Sequence, residues 1–325
     1  VDASGLKGGA EWGDAVIVAP QRIIVEAIRW AVAAGGTAIN YMPCISLLES
    51  NGDVIGVRSQ CGITNQTFEF HADKVINCAG PWLQEAVNGE SRQANQRPSQ
   101  DRAIAFNVLL DRPPLAAHGV ALTPPESGAP TYFALPCNGK LFAGTVHLKP
   151  RKTDSVSKTE LEGFLRHLNA SVPELCVTVE DVVGITSGRQ PPLSKGSSTP
   201  AKAPKIDVCG NLTNIEGVKY TTARHVAWQA LGRALRMNPS NLPPYSSVAR
   251  PRPRRTADLR PDQLSAPDLQ TWIQEESVIH IDDLLVRRWD SLGTEPELSV
   301  MARKIMTTLS WSESLVSEEL QRTLS

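Results

Sequence analysis

Apolar positions along this chain change period several times, and each change marks an element. From Pro20, the residues Ile23, Ile24, Ala27, Ile28 and Ala31 recur at helical spacing, and Gly35–Gly36 supplies a stop. TAINY and SLLES then read as short strands. Asn51–Gly52 marks a tight turn before VIGVRSQ, and TFEFHA alternates as a further strand. DKVINCAG reads as a buried strand that ends in a glycine turn, with a short helix from Pro81. Residues 20–88 therefore predict a mixed α/β unit with a hairpin region between the helix and the last strand.

A polar stretch over 89–101 separates this unit from RAIAFNVLL. That segment, with TYFALP and LFAGTV joined through Asn138–Gly139, predicts an antiparallel sheet. SKTELEGFLRHLNASV supplies a helix across it, and VTVEDVVGIT a returning strand. Residues 188–205 have a loop composition. After GVKYTTAR comes a helix whose apolar face is Ala223, Val226, Ala227, Ala230, Leu231, Ala234 and Leu235. Prolines crowd 238–265, the strongest linker signal. Four further helical patterns over 266–325 predict a small helical bundle, with Ser310 or Ser312 capping the last helix and Glu313 in its first turn.

Composition narrows the function classes. With 325 residues, 41% apolar and 21% charged, the chain is too apolar for general disorder. Its 33 basic and 34 acidic residues leave a net charge of -1, which argues against a nucleic-acid-coating protein. The run RPRPRR lacks interleaved aromatics and reads as solvated linker. The six cysteines, at 44, 61, 78, 137, 176 and 209, stand singly, as in an intracellular protein with reduced thiols, and predict no metal site. No apolar run reaches the roughly 18 residues of a transmembrane helix, and peripheral membrane contact stays open. The chain opens on Val1 in a polar, glycine-rich stretch without a signal peptide, and reads as processed, trimmed or cut from something longer.

Candidate chemistry is sparse. His147 follows a strand end and is a candidate for proton transfer or anion contact, against the alternative of a solvated structural histidine. His71 and His225 are weaker candidates, and no serine-hydrolase elbow is present. Ala79–Gly80–Pro81 follows the apolar KVINC, where small residues let the backbone approach a bound group; a plain strand-to-helix turn is the alternative. Gly217, Lys219, Thr221 and Thr222 precede a helix, where backbone donors, hydroxyls and a lysine charge could hold an anionic or polar cofactor edge. Helix capping accounts for the threonines alone, and less well for Gly217 and Lys219.

These residues carry a resemblance. KVINCAGPW resembles the strand and A-T-G-P-W-like segment of the FAD-dependent glycerol-3-phosphate dehydrogenase group, within the D-amino-acid-oxidase-like flavoproteins. FAGTVH, with Gly144, Thr145 and His147, resembles that family's isoalloxazine-side strand. GVKYTTAR resembles its G-G-K-x-T-T-x-R segment, and SGRQPPL its G-x-R-P-L segment, which makes Arg189 a substrate-contact candidate. IDDLLVRRWDSLGTEPEL resembles the start of its C-terminal helical domain. The family's opening strand, G-x-G-x-x-G turn and helix have no counterpart; GLKGGAEWG has the wrong spacing.

The resemblance implies an α/β and α+β fold: an incomplete FAD-binding Rossmann-like domain, an antiparallel substrate-domain sheet and a C-terminal helical domain. It divides the chain into a partial FAD-binding domain over 1–88, mainly substrate domain over 89–200, a returning FAD-domain segment over 201–237, a linker over 238–265 and helices over 266–325. It implies FAD as cofactor and oxidation of a secondary alcohol, with sn-glycerol 3-phosphate as candidate substrate and a quinone or another acceptor taking the electrons. His147, Lys219 and Arg189 would serve substrate, and Ala79, Gly80, Pro81, Gly144, Thr145, Gly217, Lys219, Thr221 and Thr222 the cofactor. Cytoplasmic placement, with peripheral attachment at the inner face of a membrane, follows from the same resemblance. The alternative is a non-catalytic remnant or regulatory protein of the same fold.

Overall fold

In the computed structural model the described residues are 8–14, 17, 20–83, 102–151, 155–241, 264–288 and 295–324. The chain divides into two units, Val1–Ala10 with Tyr41–Leu242 and Glu11–Asn40 with Pro243–Ser325. The RPRPRR run and nearly all of the proline-rich stretch lie outside the described residues, as do residues 84–101.

The first unit holds three sheets. Strands β1 (Cys44–Ser50), β2 (Asp53–Gln60) and β3 (Thr67–His71) form an antiparallel meander. Asn51 and Gly52 sit at φ 52° and 87°, the left-handed pair that a two-residue hairpin needs between Ser50 and Asp53. Strand β4 (Val75–Asn77) lies parallel to β11 (Leu212–Glu216), which in turn pairs antiparallel with β10 (Lys205–Cys209). A single 3₁₀ turn, Gly80–Trp82, stands where the sequence predicts a short helix from Pro81. Strand β4 is also less buried than its apolar sequence suggests. Asn77 is its buried residue, and Ile76 is exposed.

The largest sheet has the order β6–β7–β8–β5–β9, antiparallel throughout. Its strands are β5 (Ala103–Leu110), β6 (Val120–Leu122), β7 (Tyr132–Cys137), β8 (Lys140–Leu148) and β9 (Val182–Gln190). Helix α2 (Lys158–Ser171) crosses it, packing Leu161, Phe164, Leu165 and Leu168 onto Phe106, Val108, Leu110 and Tyr132. A capping box starts this helix: the Glu160 N–H donates to Ser157 Oγ at 3.3 Å, and the Ser157 N–H donates to Glu160 Oε2 at 2.9 Å. Strand β9 continues through Gly188–Gln190, residues whose composition predicts loop, because β5 pairs with them along its whole length. Helix α3 (Ala223–Ala234) buries Val226 and Ala230 on Ile215, while Leu235 lies beyond its end and is exposed.

The second unit is helical. Helices α1 (Pro20–Ala33), α4 (Ala266–Glu275), α5 (Glu295–Thr308) and α6 (Glu313–Leu324), with a π-helical stretch over Asp283–Arg288, form it. Leu269, Trp272, Leu284, Leu285, Ile305 and Met306 centre its core. Ser312 caps α6, its Oγ accepting from the Leu315 N–H at 3.4 Å. Helix α1 reverses its sequence signal: Ile23, Ile24, Ile28 and Val32 are exposed, while Arg22 and Glu26 are buried. Those polar groups are satisfied within the unit, where Arg22 donates to both Glu26 and Glu276. TAINY forms no strand. The Asn40 amide donates to the Ser277 carbonyl at 2.7 Å, and Tyr41 turns to φ 51°, which ends an extended run.

Candidate functional site

Strand order gathers positions that are far apart in sequence. Because β8, β5 and β9 are antiparallel neighbours, the end of β8, the approach to β5 and the end of β9 meet at one edge of the sheet. They bring His147, Arg102 and Arg189 with Gln190. Because β4 and β11 run parallel, both finish at the same edge of their own sheet. They lead into Cys78–Gly80 and Glu216–Lys219, and α3 begins directly after. Residues from all five places line one cavity of about 640 Å³ within the first unit.

Gly80, His147, Arg189, Gly217 and Lys219, singled out from sequence, all line this cavity. Ala79, Gly144, Thr145, Thr221 and Thr222 occupy local structural positions outside its lining. The Ala79 N–H donates to Asn77 Oδ1 at 3.1 Å and its carbonyl accepts from the Trp82 N–H, so both of its backbone groups serve the turn. Pro81 follows inside that 3₁₀ turn. Gly144 pairs with Asn107 where β5 and β8 shift register, and a Cβ there would stand 2.3 Å from Asn107 Oδ1. Thr145 Oγ1 donates to the same oxygen at 2.8 Å. Thr222 Oγ1 donates to the Lys219 carbonyl at 3.3 Å and closes the turn before α3; Thr221 is exposed.

Charge in the cavity is unevenly compensated. Arg102 is 4% exposed, and its Nη1 pairs with Glu216 Oε1 at the end of β11. Its Nη2 is buried without a hydrogen-bond partner. Desolvation pulls the Arg102 pKa below its usual range, and the neighbouring Arg189 charge pulls it further the same way. Gln190 Nε2 lies 2.8 Å from His147 Nδ1. The His147 side chain is solvent-accessible by surface area, yet the protein atoms packed around it strip enough hydration to hold its pKa below the ordinary 6.5. Cys78, which also lines the cavity, has its thiol pushed up by desolvation, which disfavours the thiolate.

Arg102, Glu216 and Gln190 are cavity residues that the sequence reading passes over. The one available signal was Arg102 itself, a charged residue opening an apolar strand. The Asn77 side chain is a further omission, since it fastens the Cys78–Gly80 turn and donates to the Leu83 carbonyl at 3.3 Å. Among the described residues, no helix is long and apolar enough to cross a membrane.

Comparison with known proteins shows the family. Residues 1–218 match the family described as FAD dependent oxidoreductase. Aerobic glycerol-3-phosphate dehydrogenase of Staphylococcus saprophyticus is 26% identical over 235 residues, covering 70% of this chain and 42% of that protein. The Staphylococcus aureus enzyme of the same name is 24% identical over 235 residues, with the same coverage. The chain thus spans well under half the length of these relatives. Among solved structures, the glycerol-3-phosphate dehydrogenase of Bacillus halodurans, complexed with FAD, superposes with a TM-score of 0.63 at 19% identity, over 93% of this chain and 71% of that one. That likeness establishes a shared fold.

Proposed function

The chain belongs to the FAD dependent oxidoreductase family, whose cofactor is FAD, and from that premise we propose that its cavity is the substrate side of a flavin-dependent alcohol oxidation. The substrate would be a small secondary alcohol carrying an anionic group, with sn-glycerol 3-phosphate as the first candidate and dihydroxyacetone phosphate as its product. A quinone or another acceptor would take the electrons. The observation that carries this reading is the convergence of His147, Arg189 and Lys219 on one cavity.

The residues present fit one part of the cofactor. No atom lies within 4 Å of the place a Gly80 Cβ would occupy, so a planar group has open approach to that backbone. At Gly217, φ is 75° and a Cβ would press on Pro191 at 3.1 Å, so the turn that presents Lys219 requires glycine. Gly80, Gly217 and Lys219 are the residues that would hold the cofactor here, and when bound it supplies the two-electron acceptor that no side chain provides.

The chain's own contribution is binding, orientation and proton handling. Arg189 offers a planar fork and Lys219 a point charge to the substrate's anionic end. Desolvation lowers the His147 pKa and so favours its neutral form. The Gln190 amide can hold either tautomer of the ring, donating to a bare Nδ1 or accepting from Nδ1–H. With Nδ1 protonated, Nε2 is bare and takes the substrate hydroxyl proton.

The test is to add FAD to the purified chain and to a version extended to the full length of its relatives, then measure flavin absorbance and glycerol 3-phosphate-dependent dye reduction. Bound flavin and substrate-dependent reduction support the reading. Flavin binding without reduction by any phosphorylated alcohol would overturn the substrate, and failure of the extended protein to bind flavin would leave a non-catalytic protein of this fold.

A further inference from the structure

Strand β3 is bonded on one side and bare on the other. It follows β2 in the order β1–β2–β3, all its residues are exposed, and no described strand pairs with its outer edge. The flanks of β3 fix the phase of that edge. The Ala72 N–H donates to the Ile55 carbonyl at 2.9 Å, and the Cys61 N–H to the Gln66 carbonyl at 2.8 Å. Gln66, Phe68, Phe70 and Ala72 therefore bond to β2, while Thr67, Glu69 and His71 turn their N–H and C=O groups outward. The devices that usually blunt such an edge, a lysine, a proline or a bulge, are missing from TFEFH. Phe68 and Phe70 lie exposed on one face, and Phe70 stands opposite Val57, which packs against the buried Leu47, Val54 and Leu212. On the other face Arg58 donates to Glu69 Oε1 from Nε at 3.1 Å and from Nη2 at 2.8 Å. His71 Nε2 stands 4.0 Å from Glu69 Oε2, beyond hydrogen-bond reach.

We propose that β3 pairs antiparallel with β3 of a second copy of this chain, with the two-fold axis at Phe70. Ladder bonds form between outward-facing residues, and charge then selects the register. Centred on Glu69, the pairing would set like charges opposite each other; centred on His71, Glu69 would face Asp73. Centred on Phe68, Glu69 would face Thr67, and His71 would have no strand residue opposite. Centred on Phe70, each Glu69 faces His71 of the second copy, whose ring can donate to the Oε2 that Arg58 leaves. The two Phe70 side chains then meet as a non-hydrogen-bonded pair, where side chains approach most closely, and each Phe68 flanks them. Their apolar row continues from Val57 and the core beneath it. The contact is only a few residues long, so the dimer is weak and reversible, with a dissociation constant on the order of 10–100 µM. It draws on none of the cavity residues and stands apart from the flavin-dependent reading.

Sedimentation velocity of the intact chain is expected to show monomer passing to dimer between about 2 and 400 µM. Glu69→Pro removes an outward N–H and no bond to β2, so it abolishes the dimer while dilute protein keeps its thermal midpoint within about 3 °C. Glu69→Lys and His71→Glu each weaken association by about fivefold or more, and the double variant, which exchanges the two charges, recovers it. That exchange decides the matter if Glu69→Pro lowers the midpoint further. Oxidation with copper phenanthroline links Phe70→Cys into a disulfide dimer, whereas Phe68→Cys, opposite Ala72 of the second copy, gives no more dimer than the native thiols. A chain that stays monomeric to about 400 µM overturns the proposal. So does a dimer indifferent to Glu69→Pro, a charge exchange that fails to recover association, or stronger linking from Phe68→Cys than from Phe70→Cys.

Discussion

Arg22 and Glu276 meet two nitrogens to two oxygens, at 2.7 and 2.8 Å, across 254 residues of sequence. The carboxylate side chain is wholly buried and the guanidinium nearly so. Arg22 also donates to the Arg288 carbonyl at 3.1 Å and lies over the Trp272 ring. The pair joins α1 to α4 inside the helical unit, and its bidentate geometry is the kind that offsets the desolvation of both charges.

Removing Arg22 takes away the bidentate partner of Glu276. Arg22→Met is expected to destabilise the helical unit by about 3 kcal/mol, since the buried Glu276 would lose both close donors and keep Arg29 at 3.9 Å. Urea unfolding followed by tryptophan fluorescence measures this, and a loss below about 1 kcal/mol would contradict the buried pair.

The opposite face of the same helix gives the matching control. Ile24 is 48% exposed, so Ile24→Ser is expected to change stability by less than about 0.5 kcal/mol. A cost of about 2 kcal/mol or more would mean that the isoleucine stripe, and not Arg22, faces the core.

Gly144 is where β8 passes closest to Asn107. Adding a methyl group would place it 2.3 Å from Asn107 Oδ1 and 3.1 Å from the Asn107 backbone. Gly144→Ala is therefore expected to push β5 and β8 apart at their register shift and to break the Thr145–Asn107 hydrogen bond. Hydrogen exchange should show faster exchange in residues 105–109; unchanged protection there would refute the close approach.

His147 yields a pH signature. Its folded pKa lies below the ordinary 6.5, so the unfolded chain binds this proton more readily. The associated stability is complete above pH 6.5, is lost as pH falls from there toward the folded value, and changes no further below that. NMR titration of the His147 ring should give a midpoint under 6.5, and His147→Gln should flatten that part of the stability profile. A midpoint at or above 6.5 would remove the basis for a neutral ring.

Local signals were readable where geometry is local. Asn51–Gly52 and Asn138–Gly139 announce hairpins because their backbone conformation depends on those residues themselves, and the α2 stripe from Leu161 to Leu168 packs as its period implies. The glycine and lysine of GVKYTT, Gly80, Arg189 and His147 do reach one cavity. Glu216 has no local peculiarity and Arg102 shows only a charge ahead of an apolar strand; their significance arises only when β5 and β11 are brought together. Helix α1 misled for a related reason. Periodicity reports that a helix has two faces, while the partner that buries one of them lies in a distant segment, here Glu276.

The pairing of β4 with β11 has a consequence for the order of folding. Lys74 and Asn211, hydrogen-bonded at 2.6 Å beside that pairing, are 137 residues apart. A growing chain exposes β4 long before its partner exists, whereas β5 to β9 and α2 can close on one another from nearby sequence. The five-stranded sheet is thus free to condense first during synthesis, and the cavity gains its second wall only after residue 219 has emerged. Nascent chains arrested before β11 should already protect Phe106 and Phe164 while leaving the Val75 N–H, which the Asn211 carbonyl accepts from in the complete fold, open to hydrogen exchange.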